Sequence, residues 1–192
     1  MQIVSVDKLT DCRHLNLYSV AYQDRTDKPR SWVMASRTDP PRCVSGDLDA
    51  PDAVVIAAFH PKHGKLVVIK EFRVPLGGYQ YGFPAGLIDA GETLQTACSR
   101  ELYEETGLTV ARLIKISPPL YSSSGMTDEA VSMVYVQCTG EISNAGNSSS
   151  EDIHPFLVSP EEALALCRRP DHTVDVKTWL VLSGFGQTGR LF

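Results

Sequence analysis

Between Thr93 and Gly107 the chain puts three glutamates, Glu101, Glu104 and Glu105, on the side of a helix that its apolar residues direct inward. A helix advances about 100° per residue, so with Glu101 at the origin Glu104 lies about 60° to one side and Glu105 about 40° to the other. Leu94, Ala97, Cys98 and Leu102 share that arc, while Gln95, Thr96, Ser99 and Thr106 face away. Like charges at i, i+4 cost a helix roughly 0.2–0.5 kcal/mol. Arg100 is the one cation close to them on the helix, and a single guanidinium does not neutralise three acids. Acidic clusters usually form a solvated face, and the apolar neighbours weigh against that here. Hard oxygen ligands converging on a cleft suit Mg²⁺, which binds through a few carboxylates and substrate phosphates.

The residues around this helix support the same element. Gly86 and Gly91 permit a loop with unusual backbone angles before it. Thr93 is placed to cap its N-terminus, and Glu92 sits near the positive end of the helix dipole. Gly107 is placed to end it.

The rest of the chain reads as alternating strands and helices. Leu15–Tyr22 and Arg30–Arg37 are β-like runs joined by the turn Asp24-Arg-Thr-Asp-Lys28, a hairpin. An isolated hairpin is marginal in water, so this one must pack on the main domain or on a second copy. The stretch from Asp39-Pro-Pro41 to Pro51 divides the chain into an N-terminal segment 1–50, which holds the hairpin, and a main domain 51–192. In the main domain Ala53–Phe59, Lys65–Phe72, Tyr79–Phe83, Val110–Ile116, Ala130–Cys138 and Ile153–Val158 read as strands. Pro160 opens a helix over Glu161–Arg169, and a last helix runs Asp175–Leu182 with Ser183-Gly184 as its stop. This order predicts an α/β sandwich with a mixed sheet rather than a doubly wound one.

Composition excludes several functions. The 192 residues carry 23 acidic and 18 basic side chains, a net charge of −5, from which a nucleic acid gains little. No apolar run is long enough to span a membrane, and Met1–Asp7 lacks the features of a signal peptide. The cysteines at 12, 43, 98, 138 and 167 are scattered without a Cys-x-x-Cys pair, which predicts free thiols in a reducing compartment, the cytoplasm. None of the five histidines shows metal-ligand spacing.

Gly86–Leu108 resembles the Nudix box: Gly, five residues, Glu, seven residues, then Arg-Glu-aliphatic-x-Glu-Glu-x-Gly-aliphatic. Gly86, Glu92, Arg100, Glu101, Leu102, Glu104, Glu105, Gly107 and Leu108 meet every fixed position. The resemblance reaches beyond the box toward the ADP-ribose and ADP-sugar pyrophosphatase branch. It is carried by Glu71-Phe-Arg-Val-Pro-Leu-Gly-Gly-Tyr79, by Phe83-Pro-Ala-Gly-Leu-Ile-Asp89 and by Tyr121-Ser-Ser-Ser-Gly-Met-Thr-Asp-Glu129. Tyr22-Gln-Asp, Arg30-Ser-Trp32, Arg37 and His172–Leu180 extend it to both ends.

The resemblance implies a Nudix-type α/β/α sandwich with a mixed β-sheet, plus the N-terminal β-hairpin. It implies hydrolysis of the diphosphate of a nucleoside diphosphate sugar, ADP-ribose to AMP and ribose 5-phosphate, with Mg²⁺ or Mn²⁺. The implied metal ligands are Glu101, Glu104, Glu105, a carbonyl at Ala85, and Glu151 on the polar loop before Ile153. Arg100 and Glu92 orient the acids. Glu151 is the implied proton acceptor or a further ligand, with Asp128 and Glu129 as other loop acids and Ser149 where some relatives carry a second acid. Trp32 is implied to stack on adenine, with the second aromatic of some relatives falling near His14. Arg37, Arg73, Ala85, Gly86 and Gly125 complete the implied substrate contacts, and the hairpin exchanges across a homodimer. NADH, GDP-mannose or a dinucleoside polyphosphate are alternative substrates, and a non-catalytic nucleotide sensor is the alternative class.

Overall fold

The computed structural model describes residues 1–191, which form two compact units. The first comprises Met1–Asp52 and Pro118–Val131, so a segment distant in sequence joins the N-terminal part. Its sheet has three antiparallel strands, β1 (Gln2–Lys8), β2 (Asn16–Gln23) and β3 (Pro29–Ser36), in the order β1-β2-β3. The expected hairpin is β2–β3, pairing Val20 with Trp32. Gln2–Lys8 supplies the third strand that a marginal hairpin needs. A four-residue helix, α1 (Arg42–Ser45), comes next. Arg42, 5% exposed, pairs with Asp52 at 3.0 Å and donates to the Asp47 carbonyl at 2.7 Å, closing the Pro-rich segment on itself.

The second unit comprises Ala53–Ser117 and the chain from Ser132. Its strands are β4 (Ala53–His60), β5 (Lys65–Arg73), β6 (Gly78–Gly82), β7 (Ala85–Leu87) and, after helix α2 (Leu94–Thr106), β8 (Thr109–Ile116). In the first unit β9 (Leu120–Tyr121) pairs with the opening residues of β10 (Ala130–Thr139), whose remainder belongs to the second. β11 (Ile153–Val158), α3 (Pro160–Arg168) and α4 (Val176–Thr188) end the chain. The sheet is mixed, in the order β11-β5-β4-β10-β8, with β6 on β5 and β7 on β4.

Alternation along the strands explains the layering. Val54, Ile56 and Ala58 of β4, Val67 of β5, and Val134, Val136 and Cys138 of β10 form one core with Ala97, Cys98 and Leu102 of α2. Phe59 points the other way and meets Phe185 of α4 edge to face at 6.3 Å. Phe156 and Val158 of β11 share that far side, lining a cavity of about 380 Å³ with Glu162 and Leu166 of α3. Helices therefore cover both faces. No helix of the described residues is long and apolar enough to cross a membrane.

The last helix corrects the sequence reading. It runs six residues past Leu182, through Gly184 and Gly186, and ends at Gly189 in the left-handed region. Gly186 serves packing. A Cβ there would stand 2.8 Å from Leu164 Cδ2 and 2.9 Å from the Pro160 carbonyl, so α3 and α4 approach too closely for a side chain. Gly184 has open space where its Cβ would be. Gly186→Ala is expected to lower stability by about 1–3 kcal/mol through overpacking, and Gly184→Ala to raise it by about 0.5–1 kcal/mol. Urea unfolding of the two variants checks this opposition.

Candidate active site

α2 begins and ends as its sequence directs. The Thr93 hydroxyl accepts the Thr96 N–H at 3.2 Å, and Gly107, at φ 71°, closes the helix with its N–H on the Tyr103 carbonyl. Gly91, at φ 81°, makes the turn before it. Gly86 does something else. It lies in β7, outside the left-handed region, and a Cβ on it would overlap both oxygens and Cδ of Glu101. Its missing side chain is the space that the Glu101 carboxylate occupies.

Arg100 organises the acids around it. Its Nε and Nη2 donate to the two Glu92 oxygens at 3.0 and 2.8 Å, a bidentate pair. Nη1 donates to Glu101 at 2.6 Å and to Glu104 at 3.3 Å, and Nη2 also reaches the Leu87 carbonyl at 3.0 Å. Glu92 is held below its usual carboxylate range by the Arg100 bonds first and then by the Asp89 N–H. One guanidinium thus ties the loop, Glu92 and two box glutamates together.

Glu105 lies outside this arrangement. It is 6% exposed, and its bond in the protein is to the Ala85 N–H at 3.2 Å. Burial pushes its carboxyl up to about 9, the nearby negative charge of Glu101 adds to this, and the Ala85 bond opposes it. Charges on Glu71 and Glu151 contribute in the same direction as burial. Glu101 is also raised, by burial first, with the Arg100 bond opposing. A raised folded-state value makes the native protein hold a proton that the unfolded chain has released. The stability of the metal-free protein is therefore expected to fall as pH rises from about 5 to about 9, at up to roughly 1.4 kcal/mol per pH unit. Urea unfolding in EDTA across that range checks the sign.

Among the described residues no three His, Cys, Asp or Glu side chains are gathered into a preformed metal cage. The contacts explain this. Glu101 and Glu104 are bonded to Arg100, and Glu151, exposed on its loop, accepts the Ser148 N–H at 2.9 Å. The donors nonetheless fit a hard divalent cation. They are all oxygens, and among the described residues Glu105 is a buried acid with no cationic partner. Ala85 meets the cluster through its N–H, where the resemblance implies its carbonyl.

The other expected substrate contacts fall in both units. In the first, Trp32 is 51% exposed and its Nε1–H donates to the Gly125 carbonyl at 3.1 Å. It lines a cavity of about 370 Å³ with Ile3, Val20, Tyr22 and Met34. Arg37 donates to Glu129 at 2.7 Å, and Asp128 accepts from the Ser36 hydroxyl and the Arg42 N–H, so both loop acids are engaged within that unit. In the second unit Arg73 Nη1 donates to Glu71 at 2.7 Å. By sequence Glu71 is assigned no role at the site, only a place in the stretch Glu71–Tyr79. Strand alternation, which puts it on the α2 side with Val67, is the signal that places it near Glu105.

A model of the NUDIX domain matches residues 49–179. The chain is 35% identical over 133 residues to the ADP-ribose pyrophosphatase of Saccharomyces cerevisiae, covering 69% of this chain and 56% of that protein. It is 30% identical over 145 residues to the ADP-sugar pyrophosphatase of Mus musculus, covering 76% and 64%. The chain thus matches less than two thirds of the length of either relative. A crystal structure of an ADP compounds hydrolase shares the fold, with a TM-score of 0.73 over 98% of this chain and 96% of that one, at 22% identity. The box that gathers its acids at Arg100 and Gly86, together with a family model spanning most of its length, makes this chain a member of the Nudix hydrolase family, similar to proteins of the ADP-ribose and ADP-sugar pyrophosphatase type.

Proposed function

We propose that the protein hydrolyses the diphosphate linkage of a nucleoside diphosphate sugar, ADP-ribose to AMP and ribose 5-phosphate, with Mg²⁺, or Mn²⁺ in its place. The observation that carries this reading is Glu105, buried without a counter-cation among the described residues, beside a Glu101 carboxylate set into the gap at Gly86. Relatives named for ADP-ribose and ADP-sugar pyrophosphatase activity support the substrate class.

In this reading Glu101, Glu104, Glu105 and Glu151, with the backbone at Ala85, hold the divalent cation. When bound, the cation offsets phosphate charge and makes a water easier to deprotonate. Arg100, anchored by Glu92, holds Glu101 and Glu104 beside one another. Glu151, on an exposed loop, accepts the proton of the attacking water or serves as a further ligand. Trp32 offers a half-exposed aromatic face to adenine. Arg37 and Arg73 offer guanidinium groups to the diphosphate, and Gly86 and Gly125 offer backbone.

Two further parts of the reading concern setting and assembly. Residues 1–50 act as a dimerisation segment and residues 51–192 as the Nudix domain. Ile3, Val4, Trp32 and Val33 are exposed apolar side chains of the first unit's sheet, and a second copy would cover those on one of its faces. All five cysteines are free thiols, which suits the cytoplasm.

Incubation with ADP-ribose and Mg²⁺, followed by chromatographic separation, is expected to yield equal amounts of AMP and ribose 5-phosphate, and neither in EDTA. No AMP above the EDTA control would overturn the substrate assignment. Turnover of NADH, GDP-mannose or a dinucleoside polyphosphate instead would move the assignment within the family.

A further inference from the structure

The sheet face beneath α2 carries a charged pair whose arrangement suggests a role of its own. Along β5, Val67, Ile69, Glu71 and Arg73 alternate onto the side where Val67 joins Ala97, Cys98 and Leu102. Glu71 stands opposite Ile153 of β11 and Gln80 of β6, and the Phe72 N–H donates to the Asp152 carbonyl at 3.0 Å. Pairing thus sets Glu71 beside the start of β11, next to the loop that carries Glu151. Its charge is among those that act on Glu105. Its carboxylate is 23% exposed and lies 2.7 Å from Arg73 Nη1, whose side chain is 50% exposed.

A guanidinium has five N–H donors, and this bond uses one. The Arg73 side chain makes no other hydrogen bond or ion pair among the described residues. Arg100 differs, since its donors are spread over three carboxylates and a carbonyl. A free Arg side chain loses rotamer entropy when it captures an anion, and one already held by a carboxylate loses less. Its partner's charge also matters. An unpaired Glu71 would repel an incoming phosphate, whereas the paired one is compensated.

We propose that Glu71 is a positioning residue for phosphate recognition, holding the Arg73 guanidinium at the edge of the acid cluster with most of its N–H donors free for a phosphate oxygen. The proposal rests on the diphosphate substrate argued above. It assigns Glu71 no contact with substrate, and its effect must pass through Arg73.

Steady-state kinetics with ADP-ribose and Mg²⁺ on wild type, Glu71→Gln, Glu71→Ala, Arg73→Ala and the Glu71→Ala/Arg73→Ala double variant tests it. Calorimetric binding of ADP-ribose in EDTA gives a second readout. Glu71→Ala is expected to raise KM and Kd about 5–10-fold, the loss of one charge-assisted bond, with kcat within about twofold. Glu71→Gln keeps an acceptor and should show a smaller rise. In the Arg73→Ala background, Glu71→Ala should change KM by less than about twofold. A wild-type KM in Glu71→Ala, or an equal rise with and without Arg73, would overturn the positioning role. Should Glu71→Ala misfold, Glu71→Gln and its pairing with Arg73→Ala carry the same cycle. A wild-type protein inert toward ADP-ribose would overturn the substrate reading instead, a result distinct from an active enzyme indifferent to Glu71.

Discussion

Glu105→Gln is expected to lower kcat for ADP-ribose by about 10³-fold and to make the metal-free protein more stable at pH 8 than wild type. The two effects share one cause. Among the described residues Glu105 is a buried carboxyl with a single backbone donor and no cation, so its ionised form is poorly stabilised in the metal-free protein. Gln keeps an oxygen for the Ala85 N–H but carries no charge. Losing one charged ligand removes several kcal/mol of charge stabilisation, and about 4 kcal/mol corresponds to about 10³-fold in rate. In EDTA the same change removes the proton release that favours unfolding above the ordinary carboxylate range, so the fall in stability between about pH 5 and about pH 9 should flatten. Near-normal turnover would remove Glu105 from the cation site. A variant that stays as pH-sensitive as wild type would show that another group carries the linkage.

Gly86→Ala should reduce kcat/KM by about 10²-fold or more for a cost of only about 1–3 kcal/mol in stability. The added methyl would occupy the position of the Glu101 carboxylate, so that flexible side chain must leave. Its bond to Arg100 Nη1 at 2.6 Å goes with it. The backbone can stay, because Gly86 has no positive φ that alanine would strain. Affinity for Mn²⁺, read by electron paramagnetic resonance, should fall in parallel with activity. Wild-type activity and Mn²⁺ affinity together would show that Glu101 works from another position.

These two positions differ in how far their roles are legible in the sequence. The helical wheel puts Glu101 and Glu105 inward, and the structure grades them by depth, with Glu105 buried, Glu101 beside it and Glu104 half exposed. Thr93 and Gly107 mark the ends of α2 correctly because capping is local chemistry. The reason for Gly86 is different. Sequence suggests a loop angle, whereas the constraint is a side chain fifteen residues on, brought there by folding. Gly186 escapes a sequence reading for the same kind of reason, its neighbour Leu164 lying on another helix. The strand at Gln2–Lys8 is not legible because most of it is exposed and so lacks a one-sided apolar pattern.

The sequence by itself determined the box, the helix that carries it, its caps, and the presence of more acid than one arginine can offset. Those are properties of residue type and short spacing, which survive in the unfolded chain. Only the tertiary structure decided which acid among the described residues lacks a cation, what space Gly86 leaves, and that the charge of Glu71 acts on Glu105. Burial and close approach arise between segments distant in sequence, and they set whether a carboxylate is solvated, paired with Arg100, or, like Glu105, buried on a backbone N–H.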